Sequence, residues 1–277
     1  MDRRTLLKYL SIGVAGTSLT TAVQSLASAS GGTAAWGYTG TTGPSNWGSL
    51  DPAYAVCGTG TRQSPINVNT TQAIDATPTD FEVNYQSFSP TIKNTGKTIQ
   101  VDCPSGSTLD LDGKTFNLLQ FHFHAPAEHT KNTQLFPMEV HFVNALLDAA
   151  GNIVELAVIG VFMEVGSYNA QINKIFNNMP TTSGGTNSPS GVSINPEDIL
   201  PKPKLDVLGL ITEPLKYYRY NGSLTTPPCS EIVNWILYDR PIKISQAQLD
   251  QFEALYDNIA RPVQSLEGRF VLEDKLT

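Results

Sequence analysis

Histidine is scarce in this chain and unevenly placed. Four histidines occur among 277 residues; three lie in the stretch QFHFHAPAEH, at His122, His124 and His129, and His141 follows 17 residues after His124. His122 and His124 sit two apart in an alternating run. On a strand both imidazoles would leave the same face, roughly 6.5–7 Å apart at the backbone. His141 belongs to a second alternating run, MEVHFVN, and the stretch between, APAEHTKNTQLFP, is long enough to return the chain antiparallel. That return would set His141 beside the pair. Three neutral imidazoles are a zinc-type set that leaves a fourth position for water, whereas a closed structural site often recruits cysteine. No cysteine is near these histidines in sequence. Copper and nickel accept the same ligands, so the histidines alone leave the ion open. Gln120 and Glu139 each precede a candidate ligand by two residues and share its face, suited to hold the other ring nitrogen.

Strands must position these side chains. FEVNY, KTIQVDC, STLDLDG and KTFNLLQFHFHA alternate apolar and polar residues between Gly, Pro, Asn and Asp. FPMEVHFVNALL and NIVELAVIGVFMEVG are two further strands joined by the turn DAAGN, and KYYRYNGS and EIVNWILY read the same way. SYNAQINKIFNNM has helical spacing at Ile172, Ile175, Phe176 and Met179. SQAQLDQFEALYDN is the stronger helix, opened by Ser245 and Gln248 as a capping box. GGTAAWGYTGTTGPSNWG reads as an irregular arm. The pattern predicts one strand-dominated domain with a few peripheral helices and no internal linker.

Composition bounds the partners. The chain is 40% hydrophobic and 16% charged, with a formal net charge of −7. Residues 1–29 contribute +2 of that, from Arg3, Arg4 and Lys8 against Asp2, so their removal leaves −9. That sign argues against nucleic acid or an anionic membrane as partner. The two arginines precede an apolar stretch from Leu6 to about Val23, and Ala27-Ser28-Ala29 fits a small-x-small cleavage site. Residues 1–29 therefore read as a signal peptide of twin-arginine type, with a mature domain over 30–277. Thr17, Ser18, Thr20, Thr21 and Gln24 dilute the apolar stretch below what a membrane span needs, so no span is expected after cleavage. Export to the periplasm or beyond the cell permits one disulfide among Cys57, Cys103 and Cys229, and spacing does not choose the pair.

Taken together, FHFHAPAEHT, MEVHFV and YNGSLTTPPCSEIVNW resemble the α-class carbonic anhydrases. RQSPIN at 62–67, ELAVIGVF at 155–162, RPVQ at 261–264 and the arm WGYTGTTGPSNW add to the likeness. The resemblance implies a mainly β, single-domain fold on a large, mostly antiparallel twisted sheet with zinc in a central cleft. It implies reversible hydration of carbon dioxide to bicarbonate and a proton by attack of zinc-bound hydroxide. By motif position, His122, His124 and His141 would be the Zn2+ ligands, Gln120 and Glu139 their hydrogen-bond partners, and His129 structural. Thr225 would donate to ionised Glu128, which can only accept, and so orient the nucleophile. Val143, Val158, Leu224, Val233 and Trp235 would form the apolar wall for carbon dioxide, with Thr226 on the bicarbonate side. Cys57 and Cys229 would pair, leaving Cys103 without an assigned role. Anionic or sulfonamide-type inhibitors are expected.

One departure from the family stands out. Fast members relay the proton through a histidine in the cleft, and the matching position in NTGKTIQV carries Lys97. Lysine's ordinary pKa of about 10.4 lies roughly four units above histidine's. The expectation is a working enzyme limited by proton transfer. The alternatives are a non-catalytic binding module of the same fold and a zinc-dependent esterase.

Overall fold

The computed structural model describes residues 32–76 and 81–276; the signal-peptide reading lies outside them. Eight strands of the main sheet organise the molecule: β1 (Thr91–Asn94), β2 (Ile99–Asp102), β3 (Lys114–His124), β4 (Met138–Leu147), β5 (Ile153–Val165), β6 (Leu215–Gly222), β7 (Val233–Ile244) and β8 (Leu272–Leu276). They lie in the order β1-β2-β3-β4-β5-β7-β6-β8 within a 12-stranded sheet. The β5–β7 pair is parallel, as is the pairing of β8 with Ile74–Asp75; the other neighbours along this path are antiparallel. The fold is thus mainly β, on one large twisted mixed sheet that does not close into a barrel.

Both faces of the central strands are buried, which explains their near-continuous apolar sequence. One face carries the larger core, including Phe121, Phe123, Val140, Phe142, Ile159 and Ile236. The other carries Val143, Val158, Trp235 and Leu237. A bulge decides which residues of β3 face which core. Val143 pairs with Gln120 and Asn144 with Leu118, so Leu119 is an extra residue. Phe116 and Leu118 before it, and Phe121 and Phe123 after it, all join the larger core. Gln120, His122 and His124 are thereby turned to the opposite face.

Two helices flank the sheet. Asn169 caps α1 (Ala170–Phe176), which buries Ile172, Ile175 and Phe176; Met179 falls beyond its end. The capping box of Ser245 and Gln248 is present at the start of α2 (Gln246–Glu253). The N-terminal arm is more ordered than its Gly- and Thr-rich sequence predicts. From Gly40 to Thr59 it winds through short 3-10 and α-helical turns around buried Trp47 and Tyr54. Trp36, Tyr38 and Trp47 pack edge to face there, with ring centres 5.4–5.8 Å apart. Cys57 and Cys229 form the disulfide, separated by 172 residues, and Cys103 is a buried free thiol.

Candidate metal centre

The register places the histidines directly. His141 on β4 pairs with His122 on β3, and Glu139 pairs with His124. The three rings of His122, His124 and His141 lie with centres 4.7–5.4 Å apart, and one ring nitrogen from each falls within 4.8 Å of the others. In each ring the other nitrogen has a partner. His122 Nδ1 donates to Gln120 Oε1 at 2.9 Å, His124 Nδ1 to the carbonyl of Ile259 at 2.7 Å, and His141 Nε2 to Glu139 Oε1 at 2.8 Å. Those bonds leave Nε2, Nε2 and Nδ1 as convergent lone pairs. Burial, reinforced by the neighbouring histidines, holds His122 well below the ordinary imidazole value, and burial brings His124 down to about 4. Both rings are therefore neutral at physiological pH, the form that ligates metals.

A metal ion fits this cradle on the structure's own terms. His124 Nε2 and Glu128 Oε2 are buried without a hydrogen-bond partner. Buried polar atoms are nearly always satisfied, so an imidazole nitrogen and a carboxylate oxygen left unpaired 3.4 Å apart suit a cation bound beside them. His129 stands apart from the trio. Its Nδ1 donates to Glu139 Oε1 at 2.8 Å, its Nε2 shares a hydrogen bond with the Tyr220 hydroxyl at 2.6 Å, and its ring packs 4.7 Å from Trp235. Glu139 is the hub, because its Oε2 also accepts from the backbone N–H groups of Glu128 and His129, each at 2.9 Å. Burial would raise this carboxyl, but His129 and His141 outweigh it and hold it well below the usual carboxylate range. Gly160 makes room for it: a Cβ there would overlap Leu237 and come within 2.9 Å of Glu139 Oε1.

Glu128 is equally enclosed. Its Oε1 accepts from the N–H of Arg261 at 2.9 Å, and the Thr225 hydroxyl hydrogen-bonds the same carboxylate. Its Oε2 faces His124 Nε2 at 3.4 Å and His141 Nδ1 at 3.9 Å. Burial pushes Glu128 up to about 7, against the pull of His141, Thr225 and the Arg261 N–H. A metal dication held by the histidines would favour the ionised form.

The cleft above the histidines has a volume of about 520 Å³. Val143, Val158, Leu224 and Trp235 line it, as do Thr225 and Thr226. Val233 does not. It is buried in the core cluster with Val143, Val158 and Trp235. The opposite side is polar, with Asn94, Thr95, Lys97 and Gln100 from β1, β2 and the turn between them. Lys97 is held at the mouth by the arm: its Nζ donates to the carbonyl of Trp36 and lies 4.9 Å from the centre of that indole. Burial draws it below the ordinary lysine value.

Sequence reasoning missed two contributors, the carbonyl of Ile259 and the N–H of Arg261. Both act through the backbone, so residue type carried no signal; the RPVQ motif marked only the neighbourhood.

Residues 42–275 match the family model described as eukaryotic-type carbonic anhydrase. The chain belongs to the α-class carbonic anhydrase family. It is 36% identical to a carbonic anhydrase of Nostoc sp., over 98% of this chain and 97% of the relative, and 39% identical to one of Neisseria gonorrhoeae, over 89% and 91%. Among solved structures it is similar to the α-carbonic anhydrase of Thermovibrio ammonificans in complex with sulfanilamide. That likeness has 41% identity and a TM-score of 0.77, covering 87% of this chain and all of the other. Carbonic anhydrases of this class use zinc to interconvert carbon dioxide and bicarbonate, and the histidine cluster described above could bind a metal ion.

Proposed function

We propose that the chain hydrates carbon dioxide with a zinc ion held by His122 Nε2, His124 Nε2 and His141 Nδ1. The observation that carries this reading is the convergence of three buried ring nitrogens whose partners on the far side are all engaged. A zinc ion held by these histidines would lower the pKa of its water toward neutrality and so supply the nucleophile. Ionised Glu128 accepts the hydroxyl proton of Thr225. The Thr225 oxygen is then free to accept a hydrogen bond from the nucleophile and turn its lone pair toward the substrate. Val143, Val158, Leu224 and Trp235 offer carbon dioxide a surface with no competing hydrogen bond, and Thr226 lines the side where bicarbonate would leave. Gln120, Glu139 and the Ile259 carbonyl keep each imidazole in the tautomer that ligates.

The proton released must leave past Lys97. Its ammonium donates to the Trp36 carbonyl, a contact that favours the proton-bound form, and the ordinary lysine pKa of about 10.4 is far above that of a neutral-pH relay. Proton transfer therefore limits turnover. Sulfonamides are expected to bind in the same cleft, as sulfanilamide does to the Thermovibrio ammonificans relative. The disulfide supports an exported protein. Among the described residues no helix is long and apolar enough to cross a membrane.

Stopped-flow carbon dioxide hydration on full-length protein of measured zinc content tests the reading. One zinc per chain is expected, with activity lost on chelation and restored by zinc. Zinc-loaded protein without hydration activity would overturn it.

A further inference from the structure

The segment Ile259–Arg261 reaches the metal centre twice. The Ile259 carbonyl accepts from His124 Nδ1 at 2.7 Å, and the Arg261 N–H donates to Glu128 Oε1 at 2.9 Å. This segment belongs to no helix or strand. Two main-chain bonds flank it, from Ile259 N–H to the Ala125 carbonyl and from Gln264 N–H to the Pro65 carbonyl. Between them the anchor is the Arg261 side chain, which is only 2% exposed. Its Nη1 donates to Gln63 Oε1 at 2.9 Å and to the Ser64 carbonyl at 2.7 Å, and its Nη2 to the Cys57 carbonyl at 2.9 Å. The guanidinium also lies 5.6 Å from the centre of the Trp47 ring.

These acceptors belong to the part of the fold that holds Thr225. Cys57 is bonded to Cys229, whose N–H donates to the Thr226 carbonyl at 2.9 Å and whose carbonyl accepts from Gln63 Nε2 at 3.1 Å. One guanidinium thus ties the backbone that holds Glu128 and His124 to the disulfide-braced loop that carries Thr225. Arginine's planar fork spans several fixed acceptors at once, which a lysine ammonium does not reproduce.

We propose that Arg261 is a positioning residue: its buried guanidinium sets the separation of Thr225 and Glu128 and the orientation of His124. The inference rests on the zinc reading given above. Its role runs through neighbours, so removal should weaken both metal binding and turnover while the direct ligands stay in place.

The test compares Arg261→Met with the parent, alone and in a Glu128→Gln background, on full-length protein. Zinc affinity is read by chelator competition and kcat at saturating zinc. Loss of a partner beyond the direct ligands costs about 10–100-fold in metal affinity or activity. The expected result is about a tenfold loss in each for Arg261→Met. In the Glu128→Gln background the further loss in kcat should shrink below twofold, while the loss in zinc affinity, which runs through His124, persists. A merely structural arginine would lower Tm and leave zinc affinity and that coupling unchanged; this outcome overturns the proposal. If the Met variant does not fold, Arg261→Lys carries the test, with losses of the same sign; a folded Lys variant with parental zinc affinity and kcat overturns it equally. If the parent itself shows no hydration, the functional reading has failed, and zinc affinity still reports on Arg261.

Discussion

Lys97 donates from Nζ to the backbone carbonyl of Trp36 and lies over the same residue's indole ring, 4.9 Å from its centre. A cation held this way is stabilised as a cation. Burial pulls the other way and lowers its pKa, but the cleft mouth stays open to water. Lys97 thereby fastens the N-terminal arm to the cleft.

Turnover should therefore respond to any added acceptor with a pKa near 7. Imidazole buffer is expected to raise kcat of the native chain several-fold at pH 7 and to leave kcat/KM unchanged, since proton export follows the chemical step. Lys97→His should raise kcat in dilute buffer in the same way, while Lys97→Met should not. A saturating rate indifferent to both buffer and Lys97→His would show that export runs by another route.

Gly160 is a second point of leverage. It pairs with His141 across β4 and β5, and a methyl group there would collide with Leu237 and crowd Glu139 Oε1. Gly160→Ala should tilt Glu139 away from His141 and His129, loosening one ligand. A drop in zinc affinity of about 10–100-fold is expected, read by chelator competition. Unchanged affinity would mean that Glu139 can shift without cost to His141.

Much of the centre was legible in the sequence because strand geometry is periodic. His122, His124 and His141 could be put on facing strands from alternation alone, and Gln120 and Glu139 followed from the same two-residue step. The bulge at Leu119 was not legible: it reverses parity within KTFNLLQFHFH, and an unbroken alternation would have sent Phe116 and Phe121 to opposite faces. The strand Thr91–Asn94 was missed because TIKN holds a single large apolar residue, Ile92, and so shows no alternation. The pair Lys204–Leu205 and Ile211–Glu213 was missed because it is exposed throughout and buries no face that would impose alternation. Val233 was assigned to the cleft by its motif position in the family resemblance, which carries no information on which residues of β7 reach the cavity. Ile259 and Arg261 act through peptide groups, which every residue possesses.

The disulfide closes 172 residues between the arm and the loop that carries Thr225 and Thr226. Loss of a native bridge costs about 2–5 kcal/mol. For a chain of this size the paired Cys57→Ser and Cys229→Ser variant should melt about 5–15 °C lower. The Thr226 carbonyl accepts from Cys229, so kcat should fall as well, even at temperatures where the variant is folded. Unchanged kcat in folded, zinc-loaded variant would separate the bridge from the site and confine its role to stability.

The metal-free protein should carry a specific acid sensitivity. Burial lowers His124 from the ordinary 6.5 to about 4, and His122 is lowered well below the ordinary value too. Between those values the unfolded chain binds protons that the metal-free native state refuses, so stability rises with pH there and is lost on acidification. The His124 shift alone corresponds to about 3 kcal/mol lost between pH 6.5 and pH 4. With zinc bound, the same ring nitrogens are occupied and cannot take protons until the metal departs. Melting curves taken with chelator should therefore fall steadily from pH 7 down to pH 5, and the zinc-bound protein, whose ligand nitrogens refuse protons as well, should fall at least as steeply. Replacing His124 with Gln should flatten the metal-free slope. A metal-free Tm that stays constant over this range would mean that these imidazoles are not buried neutral in the native state.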